Sequence, residues 1–326
     1  MVENILQDKI IFITGGTGSF GHKAVDMFLD AGVSKVIVYS RDEYKQSLMK
    51  DTLRNKGNVQ FVIGDVRDEL RLERSMRGVD YVVHAAAMKQ IPACEDNPEE
   101  AIATNVIGTG NVIRAATRQG IECLVNLSAD KAVYSVSVYG ATKFLSERLV
   151  IDSNYQGSTR GVNLRYSNIL DSRGGVFEVF AEKLRGGGTA TVFDSSMTRF
   201  FLTQEEIVRL CIFAFEHCRG GETLVKLASP IRIAELAIAM RGVIGNGDVA
   251  VHDNTARTGE KLDAVLLAEE EKPFSRSYGE IIIISHLARE LALNGMEPIT
   301  DQQIAMESRG FITDDDLEKL VRETLR

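Results

Sequence analysis

Lys9-Ile10-Ile11-Phe12-Ile13-Thr14-Gly15-Gly16-Thr17-Gly18-Ser19-Phe20-Gly21 is the stretch that decides the fold. Lys9 to Ile13 is a short apolar run of the kind that forms a buried strand, and Lys23 to Leu29 has the pattern of a helix. Between them, Gly15, Gly18 and Gly21 allow a tight turn, a close approach of backbone to a pyrophosphate, and close packing of helix on strand. The helix start adds N–H groups that have no partner inside the helix and favour an anion. A lone glycine triplet says little. Strand, glycine turn and helix in immediate succession predict a dinucleotide cradle with contacts from Gly15, Thr17, Gly18, Ser19, Phe20 and Gly21.

Working outward, Lys35 to Tyr39 reads as a second strand and ends in Ser40-Arg41-Asp42, with Lys45 one helical turn later. An acidic residue closing this strand would suit the ribose hydroxyls of NAD. Ser40, Arg41 and Lys45 instead suit a 2'-phosphate, which a guanidinium grips in a fork and a carboxylate repels. The expected cofactor is NADP, with NAD the alternative; a solvated charge cluster at a helix start is the plainer reading of the same residues.

Val59 to Ile63 gives a third strand, with Asp65 and Val66 past its end at the adenine edge. Asp80 to His84 gives a fourth, followed by Ala85, Ala86 and Ala87, small enough to let a nicotinamide ribose lie against the backbone. His84 is expected to be a satisfied strand-end histidine. Helical patterns cover Asp68 to Met76 and Pro98 to Arg118, the latter with Asn105 among apolar positions, and Glu122 to Leu127 and Gly161 to Tyr166 add two strands. This alternation predicts an α/β fold: a doubly wound parallel (Rossmann) sheet with a smaller α/β substrate-binding domain. The expected boundaries are 1–170 and 198–232 for the dinucleotide-binding unit, and 171–197 and 233–326 for the substrate unit.

With 326 residues, 44% hydrophobic and 26% charged, the chain has ample material for a large core. A net charge of -8 argues against a nucleic-acid surface. Cys94, Cys123, Cys211 and Cys218 form no CxxC pair and read as core thiols of a reducing cytoplasm. Met1 to Lys9 lacks the layout of a signal peptide and no apolar run reaches membrane-spanning length, so a cytoplasmic protein without a membrane segment is expected. No metal-ligand spacing stands out.

The fifth strand delivers Ser128-Ala129-Asp130-Lys131, and Tyr139-Gly140-Ala141-Thr142-Lys143 follows. Strand ends in open α/β sheets are where ligands bind. Tyr139 and Lys143, four apart, share a helical face, so the Lys143 ammonium is expected to favour ionisation of the phenol and make Tyr139 a base. A solvated helix face carries the same spacing; the strand end just upstream is what singles this one out. Asp130 and Lys131 place an acid and an amine side by side. In the second half, Arg173, Arg199 and Arg257-Thr258-Gly259-Glu260-Lys261 would suit a second diphosphate if they converge on one cleft, whereas singly each reads as a surface ion pair. Asp314 to Asp316 followed by Leu317 to Leu325 reads as a capped surface helix.

These residues together resemble the extended short-chain dehydrogenases/reductases, and more closely the UDP-N-acetylglucosamine 4,6-dehydratases of bacterial polysaccharide and nonulosonate pathways. The resemblance covers roughly residues 8 to 285. It rests on TGGTGSFG at 14–21, YSRDEYKQS at 39–47, GDVRD at 64–68 and HAAAMKQIP at 84–92. SADKA at 128–132, YGATK at 139–143, MTRF at 197–200 and GEKL at 259–262 complete it.

The resemblance implies a tightly bound NADP that is recycled. Tyr139 with Lys143 would take the proton of the sugar O4 as C4 is oxidised. Lys131 would then remove the C5 proton, Asp130 would protonate the departing O6, and the hydride would return to C6. That cycle needs Asp130 protonated and Lys131 neutral. Implied substrate contacts are Lys89, Ser128, Asn168, Arg173, Arg199, Arg257 and Glu260, the implied substrate is a UDP-sugar, and a homo-oligomer pairing through Pro98–Arg118 and Val138–Ile151 is expected. Three positions depart from the family pattern: Ala129 where Thr is usual, Ser167 for Gly and Thr258 for Pro. A nucleotide-sugar 4-epimerase shares the Tyr/Lys pair but has no need of Asp130-Lys131, and a non-catalytic nucleotide-binding scaffold would need none of the four.

Overall fold

The computed structural model describes residues 5–54, 56–170, 172–253, 259–287, 295–299 and 311–325. The first half alternates β1 (Ile10–Thr14), α1 (Ser19–Asp30), β2 (Lys35–Ser40), α2 (Glu43–Thr52), β3 (Val59–Ile63), α3 (Glu69–Ser75) and β4 (Tyr81–His84). Then come α4 (Ile91–Asp96), α5 (Pro98–Ile102), α6 (Gly108–Gln119), β5 (Cys123–Leu127), α7 (Val138–Ser153) and β6 (Arg160–Arg165). One turn of π-helix, Ala103–Ile107, joins α5 to α6 and carries Thr104 and Asn105. The second half holds β7 (Asn168–Ile169), α8 (Val176–Arg185), β8 (Thr189–Val192), β9 (Thr198–Leu202), α9 (Gln204–His217), β10 (Glu222–Lys226) and β11 (Pro230–Arg232). It closes with α10 (Ile233–Ile244), β12 (Asp248–Val251), β13 (Ser275–Tyr278), β14 (Ile281–Ser285), β15 (Glu297–Pro298) and a last helix, Asp314–Thr324.

Among the described residues, ten strands join into one sheet in the order β3-β2-β1-β4-β5-β6-β10-β14-β13-β15. The run from β3 to β10 is parallel and the last three strands are antiparallel. Both faces of the parallel part are covered. Ile11, Ile13, Val36 and Val38 enter a core with Phe28 of α1 and Phe215 of α9, while Phe12, Ile37 and Tyr39 enter a core with Leu72 of α3 and Val112 of α6. Successive strand residues point to opposite faces, so a doubly covered strand is apolar throughout, and this is why β1 and β2 read as unbroken apolar runs. The fold is the doubly wound α/β sheet expected.

A second hydrophobic core gathers Phe177 and Phe180 of α8, Leu236 and Met240 of α10, and Leu317 and Val321 of the last helix. The stretch 233–326 was expected to lie wholly with this smaller unit. Instead β13, β14 and β15 return to the main sheet, where Ile282, Ile283 and Ile284 are buried and pair antiparallel with β10. An apolar strand that is buried on both faces is most stable on an existing sheet edge, which it also covers.

The order β3-β2-β1-β4-β5-β6 reverses direction between β1 and β4. Strand carboxyl ends flanking such a reversal form a crevice.

Candidate active site

Gly15 closes β1 with φ +67, and a Cβ there would come within 2.8 Å of the Ala86 backbone. Only glycine combines that dihedral with that approach. The glycine turn and the segment after β4 thereby become two walls of one cleft of about 420 Å³. Thr14 Oγ1 ties them, accepting from the Ala85 and Ala86 N–H groups at 3.1 and 3.2 Å. Gly15, Thr17, Gly18, Ser19 and Phe20 line one side; Val66 and Ala85, Ala86 and Ala87 line the other; Ser40, Arg41 and Lys45 stand at the far end. Gly21 stands behind the turn, where a Cβ would strike the Gly16 carbonyl, so its part is packing.

Asp65 is absent from this lining although Gly64 and Val66 on either side belong to it. Its carboxylate is 2.7 Å from Arg67 and 3.7 Å from Arg41. Burial opposes its charge, but the Arg67 hydrogen bonds hold its carboxyl below the usual range. Bare backbone at the turn fits a dinucleotide pyrophosphate, and at the β2 end Arg41 lies 3.7 Å from Asp65 and Lys45 3.0 Å from Asp42.

A second cleft of about 390 Å³ adjoins the first, and Lys89, Tyr166, Ile169 and Ser172 line both. Its floor comes from the ends of β5 and β6. The ladder between them continues past both strands, with Ser128 N–H donating to Leu164 O at 2.7 Å and Asp130 N–H to Tyr166 O at 2.9 Å. Ala129, Asp130, Lys131, Ser167 and Asn168 are thereby brought to one patch of the cleft wall. Lys131 Nζ lies 2.8 Å from Asp130 Oδ1, and it donates to Asp130 Oδ2 at 3.1 Å and Asn168 Oδ1 at 3.2 Å. Ser167 Oγ donates to Asp130 Oδ2 at 3.2 Å.

The helix α7 brings Tyr139 to the same wall. Its start is fixed twice: Ser137 Oγ accepts from Gly140 N–H at 3.1 Å, and Glu95 Oε1 accepts from Val138 N–H at 2.7 Å. Burial pushes the Tyr139 phenol well above its ordinary value, and Tyr166 and Asp130 add to this. The expected relief from Lys143 is not seen. Its ammonium donates to Leu127 O on the floor of the first cleft, with no hydrogen bond to the phenol, and burial lowers it to about 8. Sharing a helix face brings two side chains within reach, and a buried strand-end carbonyl is the acceptor the ammonium finds here.

The expected substrate residues separate. Lys89, Asn168, Arg199 and Glu260 line the second cleft with Asp130, Lys131 and Tyr139. Ser128 does not: it is buried beneath the wall, and Ser167 is the hydroxyl that reaches Asp130. Arg199 lines the cleft from a buried position, with its guanidinium on the carbonyls of Thr198, Leu262 and Lys261 at 2.7–2.8 Å. Arg173 faces the first cleft instead. Its guanidinium donates to Thr17 O at 2.9 Å and its N–H to Ser19 Oγ at 3.0 Å, because the loop after β7 crosses over the glycine turn. Arg257 and Thr258 lie outside the described residues.

Three groups gain a place beyond the roles expected of them. Thr104, on the π-helical turn, lines the first cleft with a buried and unpartnered Oγ1. Tyr166 stands between the clefts, and Lys261 lines the second, where its charge faces Asp130. Lys261 was within reach as part of the Gly259–Leu262 motif; the other two carried no signal beyond their neighbours' patterns. Among the described residues, no group of His, Cys, Asp and Glu could hold a metal, and no helix is long and apolar enough to cross a membrane.

Residues 11–286 match the family model described as "Polysaccharide biosynthesis protein". A protein of Rickettsia canadensis named UDP-glucose 4-epimerase is 39% identical over 291 residues, spanning 87% of this chain and 85% of its own. The structure of Pen from Bacillus thuringiensis superposes with a TM-score of 0.90 at 31% identity, covering 98% of this chain and 99% of that one. The dTDP-glucose 4,6-dehydratase DesIV of Streptomyces venezuelae, solved with NAD bound, shares the fold at a TM-score of 0.73 and 21% identity, covering 96% of each chain. With its glycine-turn cleft, YxxxK helix and this span of similarity, the chain belongs to the polysaccharide biosynthesis protein family of extended short-chain dehydrogenases/reductases.

Proposed function

We propose that the protein is an NADP-dependent 4,6-dehydratase of a UDP-N-acetylhexosamine, UDP-N-acetylglucosamine, giving a UDP-4-keto-6-deoxy sugar. The observation that carries this reading is the Asp130–Lys131 pair on the same cleft wall as Tyr139. The first cleft takes the dinucleotide and the second the sugar. When bound, the dinucleotide supplies the place where the C4 hydride is kept until it returns to C6.

Tyr139 moves the proton of the sugar O4, with Lys143 behind it on the helix. The 4-ketone acidifies the C5–H bond. Proton transfer along the 3.1 Å hydrogen bond from Lys131 Nζ to Asp130 Oδ2 turns the ion pair into a neutral amine beside a neutral acid. The amine then takes the C5 proton, the acid protonates O6 as the C6–O6 bond breaks, and water leaves. The ammonium and carboxylate are thereby restored with one proton passed from C5 to O6; as the hydride returns to C6, the Lys131 ammonium gives a proton back to C5, and the proton that Tyr139 took from O4 makes good that loss, so every group ends as it began. Lys89, Asn168, Arg199 and Glu260 hold the nucleotide sugar, while Arg41 and Lys45 favour NADP over NAD.

The name of the Rickettsia relative favours a second reading, 4-epimerisation. That reaction uses the O4 proton transfer alone and leaves Asp130 and Lys131 without a part. Mass spectrometry of UDP-N-acetylglucosamine incubated with the protein separates the two: loss of one water without net consumption of NADP supports dehydration, and an isomer of unchanged mass supports epimerisation. No change in the sugar favours a nucleotide-binding scaffold. The exposed Ile102, Ile107, Phe144 and Leu145 support pairing of two copies through α5–α6 and α7, which light scattering would test.

A further inference from the structure

The aligned hydrogen bonds to the Asp130 carboxyl all fall on one oxygen. Oδ2 accepts from Lys131 at 3.1 Å and from Ser167 at 3.2 Å, while Oδ1 is buried and, although 2.8 Å from Lys131 Nζ, has no donor aligned on it. If Lys131 turns to C5, Ser167 is the remaining side-chain donor on that carboxyl among the described residues. A buried carboxyl that loses its last hydrogen bond rotates or pairs elsewhere, since an unsatisfied buried oxygen is costly. The charges of Arg199 and Lys261 also act on Asp130, but their donors are held by backbone carbonyls, Arg199 on Thr198 O, Leu262 O and Lys261 O and Lys261 on Val133 O.

Ser167 is well placed for this. It sits one residue past Tyr166, whose carbonyl takes the Asp130 N–H, so β6 delivers it opposite Asp130 in the continued ladder. It is 8% exposed and lines the second cleft. The neighbouring position on the β5 side, Ala129, lines the same cleft and has no hydroxyl to offer. Ser167 Oγ also lies 3.4 Å from Asn168 Oδ1, the other acceptor of Lys131, so one hydroxyl borders both partners that Lys131 leaves when it moves.

We propose that Ser167 is a positioning residue for proton donation by Asp130: it keeps the carboxyl in place while Lys131 acts on C5. The inference rests on the dehydration reading. In the step concerned, the O–H bond of the Asp130 acid breaks as the C6–O6 bond breaks, and the proton leaves with O6 as water; Ser167 gives up nothing and keeps its hydrogen bond to the carboxylate that forms.

The test is to run the reaction in deuterium oxide and follow two signals, deuterium entering C5 of sugar that has not lost water, and loss of water from the sugar. Ser167→Ala should slow water loss about tenfold, the effect of one lost hydrogen bond at a transition state, and leave C5 exchange unchanged. Ser167→Thr, which keeps the hydroxyl, should restore water loss. A parallel fall of both signals, which a disturbed wall would produce, overturns the assignment, as does wild-type water loss in Ser167→Ala. Absence of water loss from the unaltered protein removes the dehydration reading itself, a failure distinct from either of these.

Discussion

Gly140 packs its bare Cα against the carbonyl of Lys131, so closely that a Cβ at position 140 would strike that oxygen. The two residues join the helix that carries Tyr139 to the strand end that carries Asp130, and the spacing of the three groups depends on the missing side chain. Gly140→Ala forces the helix off the wall. Overpacking of this kind costs about 1–3 kcal/mol, and turnover should fall by more than that loss of stability explains. Gly242→Ala in α10, where nothing lies within 4 Å, is the contrasting substitution and should stabilise by about 0.5–1 kcal/mol. Thermal melting and initial rates of both variants check the pair.

His84 should make the protein acid-sensitive. Thr14 Oγ1, already accepting from two backbone N–H groups, donates to Nδ1 at 2.7 Å, and Thr109, whose hydroxyl donates to Asn105 O, accepts from Nε2 at 3.0 Å. The ring is therefore neutral with its proton on Nε2, and burial lowers it to about 3. Its stabilisation is complete above the unfolded value of 6.5 and is lost as pH falls from there toward 3, because the unfolded chain binds the proton first. At pH 5 the loss is about 2 kcal/mol. Denaturant titrations at pH 7 and 5 should show it in the wild type, and His84→Gln should lack that slope.

Lys143 gives the opposite pH effect. Burial lowers it from 10.5 to about 8, so the folded protein releases this proton before the unfolded chain does. The penalty for burying the charge is present in full below pH 8 and is relieved as pH rises from 8 toward 10.5. Lys143→Met should remove that rise from the stability profile, which denaturant titrations between pH 7 and 10 read directly. An unchanged profile would contradict the buried position of the ammonium.

Arg41 is the test of cofactor choice. Arg41→Ala should weaken NADP binding by about tenfold or more and leave NAD binding nearly as it was, since only one of them carries the phosphate that a guanidinium grips. Titration with both dinucleotides decides it, and an equal loss for both would remove Arg41 from the selection.

Lys131→Ala should reduce water loss by about 10²-fold or more while dinucleotide binding stays intact, because Lys131 belongs to the second cleft alone. A fully active variant would take the C5 proton away from Lys131.

Much of this arrangement was legible in the chain. The glycine turn, the six parallel strands and the segment from Ser128 to Lys143 all follow from local pattern: apolar runs that must be buried on both faces, glycines where backbone approaches backbone, and polar residues at strand ends. The pattern failed where a side chain chooses among partners of similar sequence distance. Lys143 turns to Leu127 O, Arg173 crosses to the glycine turn, and Asp65 is taken by Arg67. The return of β13 to β15 to the main sheet was equally hidden, because an antiparallel strand added at an edge leaves no mark in the alternation that precedes it.

By itself, the sequence determined the doubly wound sheet, the cleft at the end of β1 and the presence of an acid, an amine and a phenol near one strand end, since each depends on short-range periodicity and on which residues tolerate burial. Only the tertiary structure decided that Ser167, and not Ser128, meets Asp130, and that the aligned hydrogen bonds to that carboxyl fall on one oxygen. Those facts depend on the register of β5 against β6, a contact between residues 37 positions apart, which no local pattern can specify.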